Sequence, residues 1–74
     1  MAVDIEVFGQ LHPGRPQRRT LEFPGPAAAR EVAHAIGLDQ SEIGLVTIDG
    51  VESKLDASVH PKSRLCFFPY LSGG

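Results

Sequence analysis

The sequence is short of the devices on which small folds and enzymes usually rely. Its only cysteine is Cys66, so no intramolecular disulfide can form and the chain must fold on its core alone. One cysteine and three widely spaced histidines, His12, His34 and His60, cannot complete a zinc set of standard spacing, and no metal site is expected. No G-x-x-x-x-G-K-S/T and no G-x-G-x-x-G is present, so any ATP has to sit on a partner. No run approaches the roughly 18 to 20 apolar residues that span a bilayer. "MAVDIEV" has neither the basic nor the apolar region of a secretory leader. The lone thiol suits a reducing compartment, and a cytoplasmic location is expected, with no membrane partner.

Charge is equally uninformative about a catalytic role. The net charge is −2, with no basic excess to grip a phosphate backbone. Arg15, Arg18 and Arg19 cluster, but Asp4, Glu6 and Glu22 lie in neighbouring segments, and the group reads as a solvated hairpin rather than a nucleic-acid site. The nine acids are scattered over solvent faces and turns, and no pair lies within an apolar run where burial would raise a pKa toward catalytic range. Cys66 lacks a third group to orient a histidine beside it, so it reads as a buried or half-exposed strand residue.

What is present is 74 residues, 42% of them hydrophobic, enough for one domain near the lower size limit for an uncrosslinked core. Residues 3–8 alternate strictly, with Val3, Ile5 and Val7 on one face and Asp4 and Glu6 on the other, the pattern of a strand with one wet side. "GQLHPGRPQ" is a long turn, and "RRTLEF" is the returning strand of a hairpin. In "PGPAAAREVAHAIG" the period changes, and Ala29, Val32, Ala33 and Ile36 form one helical stripe. Pro26 suits the first helical position and Gly37 the left-handed position after the last turn. A helix this short must bury its stripe, and the sheet is the only surface available. "LVTIDGVES" reads as strand, Asp-Gly turn and short return strand. Residues 53–63 read as irregular, and "RLCFF" is a last strand stopped by Pro69. The order predicts an α+β fold, a mixed sheet of about four to five strands with one helix across one face.

The end of the sequence carries the functional signal. Alternation in the last strand puts Leu65 and Phe67 toward the helix and Cys66 and Phe68 on the opposite face. Phe68 followed by Pro69, Tyr70 and Leu71 is then an apolar patch of the kind that marks a protein contact. The alternatives are that loops cover it, or that a shifted register makes Phe68 the core residue. Ser72, Gly73 and Gly74 read as a flexible tail, residues 72–74, beyond a folded body, residues 1–71. From Pro69 to Gly74 the chain can reach at most about 20 Å, enough to thread a narrow tunnel. Glycine suits walls built close around a backbone, and the terminal carboxylate is the one reactive group such a tail delivers. A carboxylate is a poor electrophile and needs activation, most simply as a mixed anhydride with AMP. A sulfur nucleophile would then give a thiocarboxylate, whereas a cysteine or lysine would give a thioester or an isopeptide.

The element order resembles the β-grasp of ubiquitin-like proteins, and "RLCFFPYLSGG" resembles the end of the MoaD family, the small sulfur-carrying subunits of molybdopterin synthase, with the ThiS thiamin sulfur carriers as near relatives. "VTIDG", residues 46–50, also looks like that family's strand and turn. The resemblance implies a thiocarboxylate on Gly74, formed after adenylation by a ubiquitin-activating-type (E1-like) enzyme that binds the ATP, with Gly73 clearing the channel. It implies that Phe68, Pro69, Tyr70, Leu71 and Ser72 meet the activating enzyme and then a sulfur acceptor, a synthase large subunit. The chain itself would be a carrier rather than an enzyme, without a bound cofactor and monomeric when free. One departure bears on partner recognition: the family usually has an acidic Gly-Asp turn before the last strand, and here the position reads "HPKSR". A thiamin-type or other ThiS-like carrier, a ubiquitin-like modifier joined to lysines, and a β-grasp interaction module with an inert tail are the other readings of the same residues.

Overall fold

The alternation at the start of the chain forms strand β1, Ala2–Val7, whose Val3, Ile5 and Val7 are buried while Asp4 is exposed. The computed structural model describes residues 1–8 and 18–69. The turn expected over residues 9–17 and the boundary expected between residues 71 and 72 lie outside the described residues. After β1 come β2 (Arg18–Glu22), β3 (Ala27–Ala28), helix α1 (Ala29–Ala35), a 3-10 turn (Gln40–Glu42), β4 (Ile43–Ile48), β5 (Val51–Ser53), β6 (Ser58–Val59) and β7 (Arg64–Pro69).

The main sheet has five strands in the order β2-β1-β7-β4-β5. Central β7 runs parallel to β1 and antiparallel to β4, and the outer pairs are antiparallel hairpins. This is the α+β arrangement expected, a mixed sheet with one helix on one face. The core is the inner face of β1, β4 and β7 closed by the helical stripe: Val3, Ile5, Leu65 and Phe67 meet Ala29, Val32, Ala33 and Ile36, all buried. Three of the four helical residues facing the sheet are alanine or valine, and such small side chains let the helix approach the sheet closely.

The helix differs from expectation at its start. Pro26 is not its first residue; Ala27–Ala28 instead pair antiparallel with Ser58–Val59 in a second, two-stranded sheet, and α1 begins at Ala29. The reason lies in the orphan donors of a helix N-terminus. The Ala29 and Arg30 N–H groups donate to the carbonyls of Ala57 (3.0 Å) and Leu55 (2.8 Å), and the Ala28 N–H donates to Glu31 Oε1 at 3.0 Å. Residues 53–63, expected to be irregular, thus cap the helix and contribute β6. The other end follows expectation. Gly37 takes φ +82°, its N–H donates to the His34 carbonyl, and the Leu38 N–H reaches back to Ala33 at 2.9 Å, the Schellman arrangement with buried Leu38 closing it.

The Asp49-Gly50 turn has positive φ at both positions, 52° and 82°, as a two-residue hairpin turn of the primed type demands. Asp49 also fastens the turn to the next strand: its N–H donates to the Arg64 carbonyl at 2.8 Å and its Oδ1 accepts the Arg64 N–H at 2.9 Å. Asp39 caps the 3-10 turn. Its carboxylate accepts the Ser41 backbone N–H at 3.0 Å and the Ser41 hydroxyl at 2.8 Å, and these bonds hold its pKa below the ordinary 3.8.

Two outcomes follow. Phe67 is fully buried, so Phe67→Ala is expected to lose about 3–5 kcal/mol in urea denaturation, and a loss below about 1 kcal/mol would refute its place in the core. Because the folded-state pKa of Asp39 is depressed, its contribution is present above the unfolded value and lost as pH falls through the folded one. The stability gap between the parent and Asp39→Ala is therefore expected to close on acidification below about pH 4. A gap unchanged from pH 7 to pH 2 contradicts the cap.

Candidate partner-docking face

Strand β7 sets the site. Leu65 and Phe67 have no solvent exposure, while Cys66 and Phe68 lie on the opposite face and are half-buried. The register is the expected one, and Phe68 is not a core residue. Pro69 does not stop the strand before it but belongs to β7 as its last described residue, opposite Ile43.

Two neighbours turn Phe68 from an isolated ring into a patch. Phe8 has the parity of Asp4 and Glu6, so it emerges on the outer face, where its N–H donates to the Phe67 carbonyl at 2.9 Å. Its ring stacks on Phe68 with centroids 4.5 Å apart and planes 7° from parallel. On the other side, Leu45 faces Phe68 across the β4–β7 pair and is 37% exposed. Strict alternation would have sent Ile43 and Leu45 to the same face. A bulge between them, where two steps along β4 match one along β7, buries Ile43 and turns Leu45 outward. Gly44, between them, supplies the backbone freedom that a bulge needs.

A shallow open hollow of about 700 Å³ adjoins the patch, lined by Glu6, Phe8, Asp49, Gly50, Arg64 and Cys66. Arg64 donates to Glu6 Oε1 at 3.0 Å across it, a partly exposed pair that orients both side chains and adds little stability. The "HPKSR" turn leads into β7 with Lys62 at φ 64°, a conformation that favours glycine, fixed by the Lys62 N–H on the Ala2 carbonyl at 2.8 Å.

Of the residues expected to meet a partner, Phe68 and Pro69 are thus on the outer face and at the end of β7. Tyr70, Leu71, Ser72, Gly73 and Gly74 lie outside the described residues. Phe8 and Leu45 were not expected. The signal for Phe8 was an aromatic on the acidic face of β1, and for Leu45 the glycine preceding it. Arg18 and Arg19, adjacent in sequence, fall on opposite faces of β2, and Arg15 lies outside the described residues. His34 and His60 are exposed. Among the described residues, no three His, Cys, Asp or Glu side chains gather as a metal site, and no helix is long and apolar enough to cross a membrane.

A five-stranded mixed sheet in this order, with one helix across one face, is the ubiquitin-like β-grasp. No protein-family model and no curated protein matches the sequence. Among solved structures, the crystal structure of SAMP1 from Haloferax volcanii is similar over 100% of both chains, with a TM-score of 0.78 and 18% sequence identity. The likeness at that identity is one of fold.

The stacked pair predicts a measurable coupling. In a double-mutant cycle, Phe8→Ala and Phe68→Ala are expected to be non-additive by about 0.5–1.5 kcal/mol in urea denaturation, and strict additivity would contradict the stack.

Proposed function

We propose that this domain is a ubiquitin-like sulfur carrier whose Gly74 carboxylate is activated by a partner enzyme and converted to a thiocarboxylate. The observation that carries the reading is the outward apolar patch of Phe8, Leu45 and Phe68, on the strand from which the sequence runs on through Pro69, Tyr70, Leu71 and Ser72 to Gly73 and Gly74. A patch on a rigid sheet positions the domain against a partner, and the segment after it has a reach of at most about 20 Å into that partner's active centre. The domain is then a co-substrate, and the nucleotide belongs to the activating enzyme.

The chemistry balances without any group on this chain beyond the carboxylate. A Gly74 carboxylate oxygen attacks the α-phosphorus of ATP on an E1-like partner, and pyrophosphate leaves. A hydrosulfide-type sulfur then attacks the acyl carbon of the adenylate, AMP leaves, and a thiocarboxylate remains. Glycine at the last two positions keeps the acyl carbon free of side-chain obstruction. The thiocarboxylate gives its sulfur to an acceptor such as a synthase large subunit. The Phe67, Phe68 and Pro69 run favours the molybdopterin type of carrier over the thiamin type.

The test starts from the intact mass of the protein isolated from its native cells, which establishes whether Gly74 is the last residue. The purified protein is then incubated with a matching activating enzyme, ATP and a sulfur donor. A mass increase equal to the difference between a sulfur and an oxygen atom is expected, and its loss in a variant lacking Gly73 and Gly74. Sulfur transfer at full rate by the shortened variant would overturn the proposal. Isopeptide-linked adducts without a thiocarboxylate would assign the domain to protein modification instead. Phe68→Ala is expected to weaken binding to the activating enzyme by about tenfold or more while the domain remains folded.

A further inference from the structure

Among the described residues, strands β2 and β5 form the two edges of the five-stranded sheet. An edge presents unpaired N–H and C=O groups and invites another strand unless it is short, bulged, interrupted by proline or charged, and the charges on an edge then decide which strand it can accept. β5 has only three residues. β2 has five, contains no proline or glycine, and pairs regularly with β1 along its length.

The open side of β2 can be identified from its closed side. The Phe23 N–H donates to the Met1 carbonyl at 2.8 Å, and antiparallel partners alternate between hydrogen-bonded and non-bonded pairs. Leu21 and Arg19 therefore direct their backbone groups at Val3 and Ile5, while Arg18, Thr20 and Glu22 direct theirs outward. These three are also the exposed residues of the strand.

We propose that this edge pairs with the same edge of a second copy of the chain, antiparallel about a two-fold axis at Thr20, joining the two sheets into one. In that register Thr20 faces Thr20 of the second copy, Arg18 faces Glu22, and Arg19 faces Leu21. All the outward backbone groups from Arg18 to Glu22 then become hydrogen-bonded pairs. The side chains agree with the backbone: each Arg18 meets an opposite charge, and the Arg19 stem lies beside a Leu21 side chain. Glu22 is available for this. It lies 3.5 Å from the Met1 ammonium, yet its side chain is 79% exposed.

Neighbouring registers are worse. Shifting one way places Arg19 opposite Arg19, a like-charge contact. Shifting the other way places Arg18 opposite Pro24, which has no N–H to donate. A foreign strand would need an acid and a base at the same spacing and in the reverse order, and β2 itself carries both.

Strand β2 lies two strands from β7, about 10 Å in the sheet plane, and the seam lies beyond it, clear of Phe68. The inference is independent of the sulfur-carrier reading, and it replaces the expected monomer with a concentration-dependent equilibrium. One short strand pair is a small interface, and half-association is expected on the order of 0.1–1 mM.

Sedimentation velocity and NMR dilution of the full chain test this. The mass should rise with concentration, and the amide signals of Arg18, Thr20 and Glu22 should shift together. Arg18→Glu and Glu22→Arg are each expected to weaken self-association about tenfold, because each turns both charge pairs repulsive. An equimolar mixture of the two variants should recover association, since Glu at position 18 then meets Arg at position 22 and Arg18 meets Glu22. Thr20→Pro removes an outward N–H and leaves the backbone ladder to β1 in place, losing only the exposed Thr20 Oγ1–Asp4 Oδ1 bond of 2.7 Å, and should abolish association while the fold is retained. A parent chain that stays monomeric up to about 1 mM, or charge variants that fail to recover on mixing, would overturn the proposal.

Discussion

The register of β7 is the constraint on which the rest of the molecule depends. This strand is paired on both sides, and the side-chain period of two means that a slip of one residue would exchange Phe67 with Phe68. The core would then receive Cys66 and Phe68, and its largest buried side chain, Phe67, would face water. Backbone bonds at both ends of the strand hold the register. At the start, Asp49 grips the Arg64 N–H and C=O, and the Asp4 N–H donates to the Ser63 carbonyl at 3.0 Å. At the other end, the Phe8 N–H holds the Phe67 carbonyl. The same bonds that keep Phe67 in the core therefore keep Phe68 out of it, and core and outer patch are two readings of one alignment.

A domain of this size has little surplus stability, so its seven-residue helix cannot rely on propensity. It is instead finished at both ends by the rest of the chain. The carbonyls of Leu55 and Ala57 satisfy its first donors, and the Gly37 turn closes its last carbonyls. The segment between β5 and β6 thus serves as a cap, which explains why an outwardly irregular stretch is ordered around buried Val59 and Ser63.

Much of this was legible in the sequence because periodicity and turn chemistry are local. The alternation of β1, the helical stripe, Gly37, Asp49-Gly50 and the outward placement of Phe68 are each decided within a few residues. What was not legible depends on contacts between distant segments. β3 and β6 are two residues each, too short to show a period, and they exist only because Ala27–Ala28 and Ser58–Val59 meet. That meeting moved the helix start past Pro26. Likewise, the inward turn of Ile43 and outward turn of Leu45 follow from a bulge opposite β7, of which Gly44 was the only local sign. Phe8 showed the right parity, but its partner lies sixty residues away in sequence.

An outward apolar patch is costly in so small a protein, because every large apolar side chain placed outside is one fewer for the core. The arrangement of Phe8, Leu45 and Phe68 limits that cost without hiding the surface. Stacking two rings face to face shields one face of each from water. Glu6 and Arg64 in the adjoining hollow, with Thr47 opposite Cys66, keep the rim polar. The stack also joins β1 to β7 on the face opposite the helix, so the side chains that present the patch stiffen the strand leading to the end of the sequence. A contact made at this face is therefore referred to the core through β7 rather than absorbed by a loop. A rigid body of this kind is suited to act as the handle that the proposed carrier role requires.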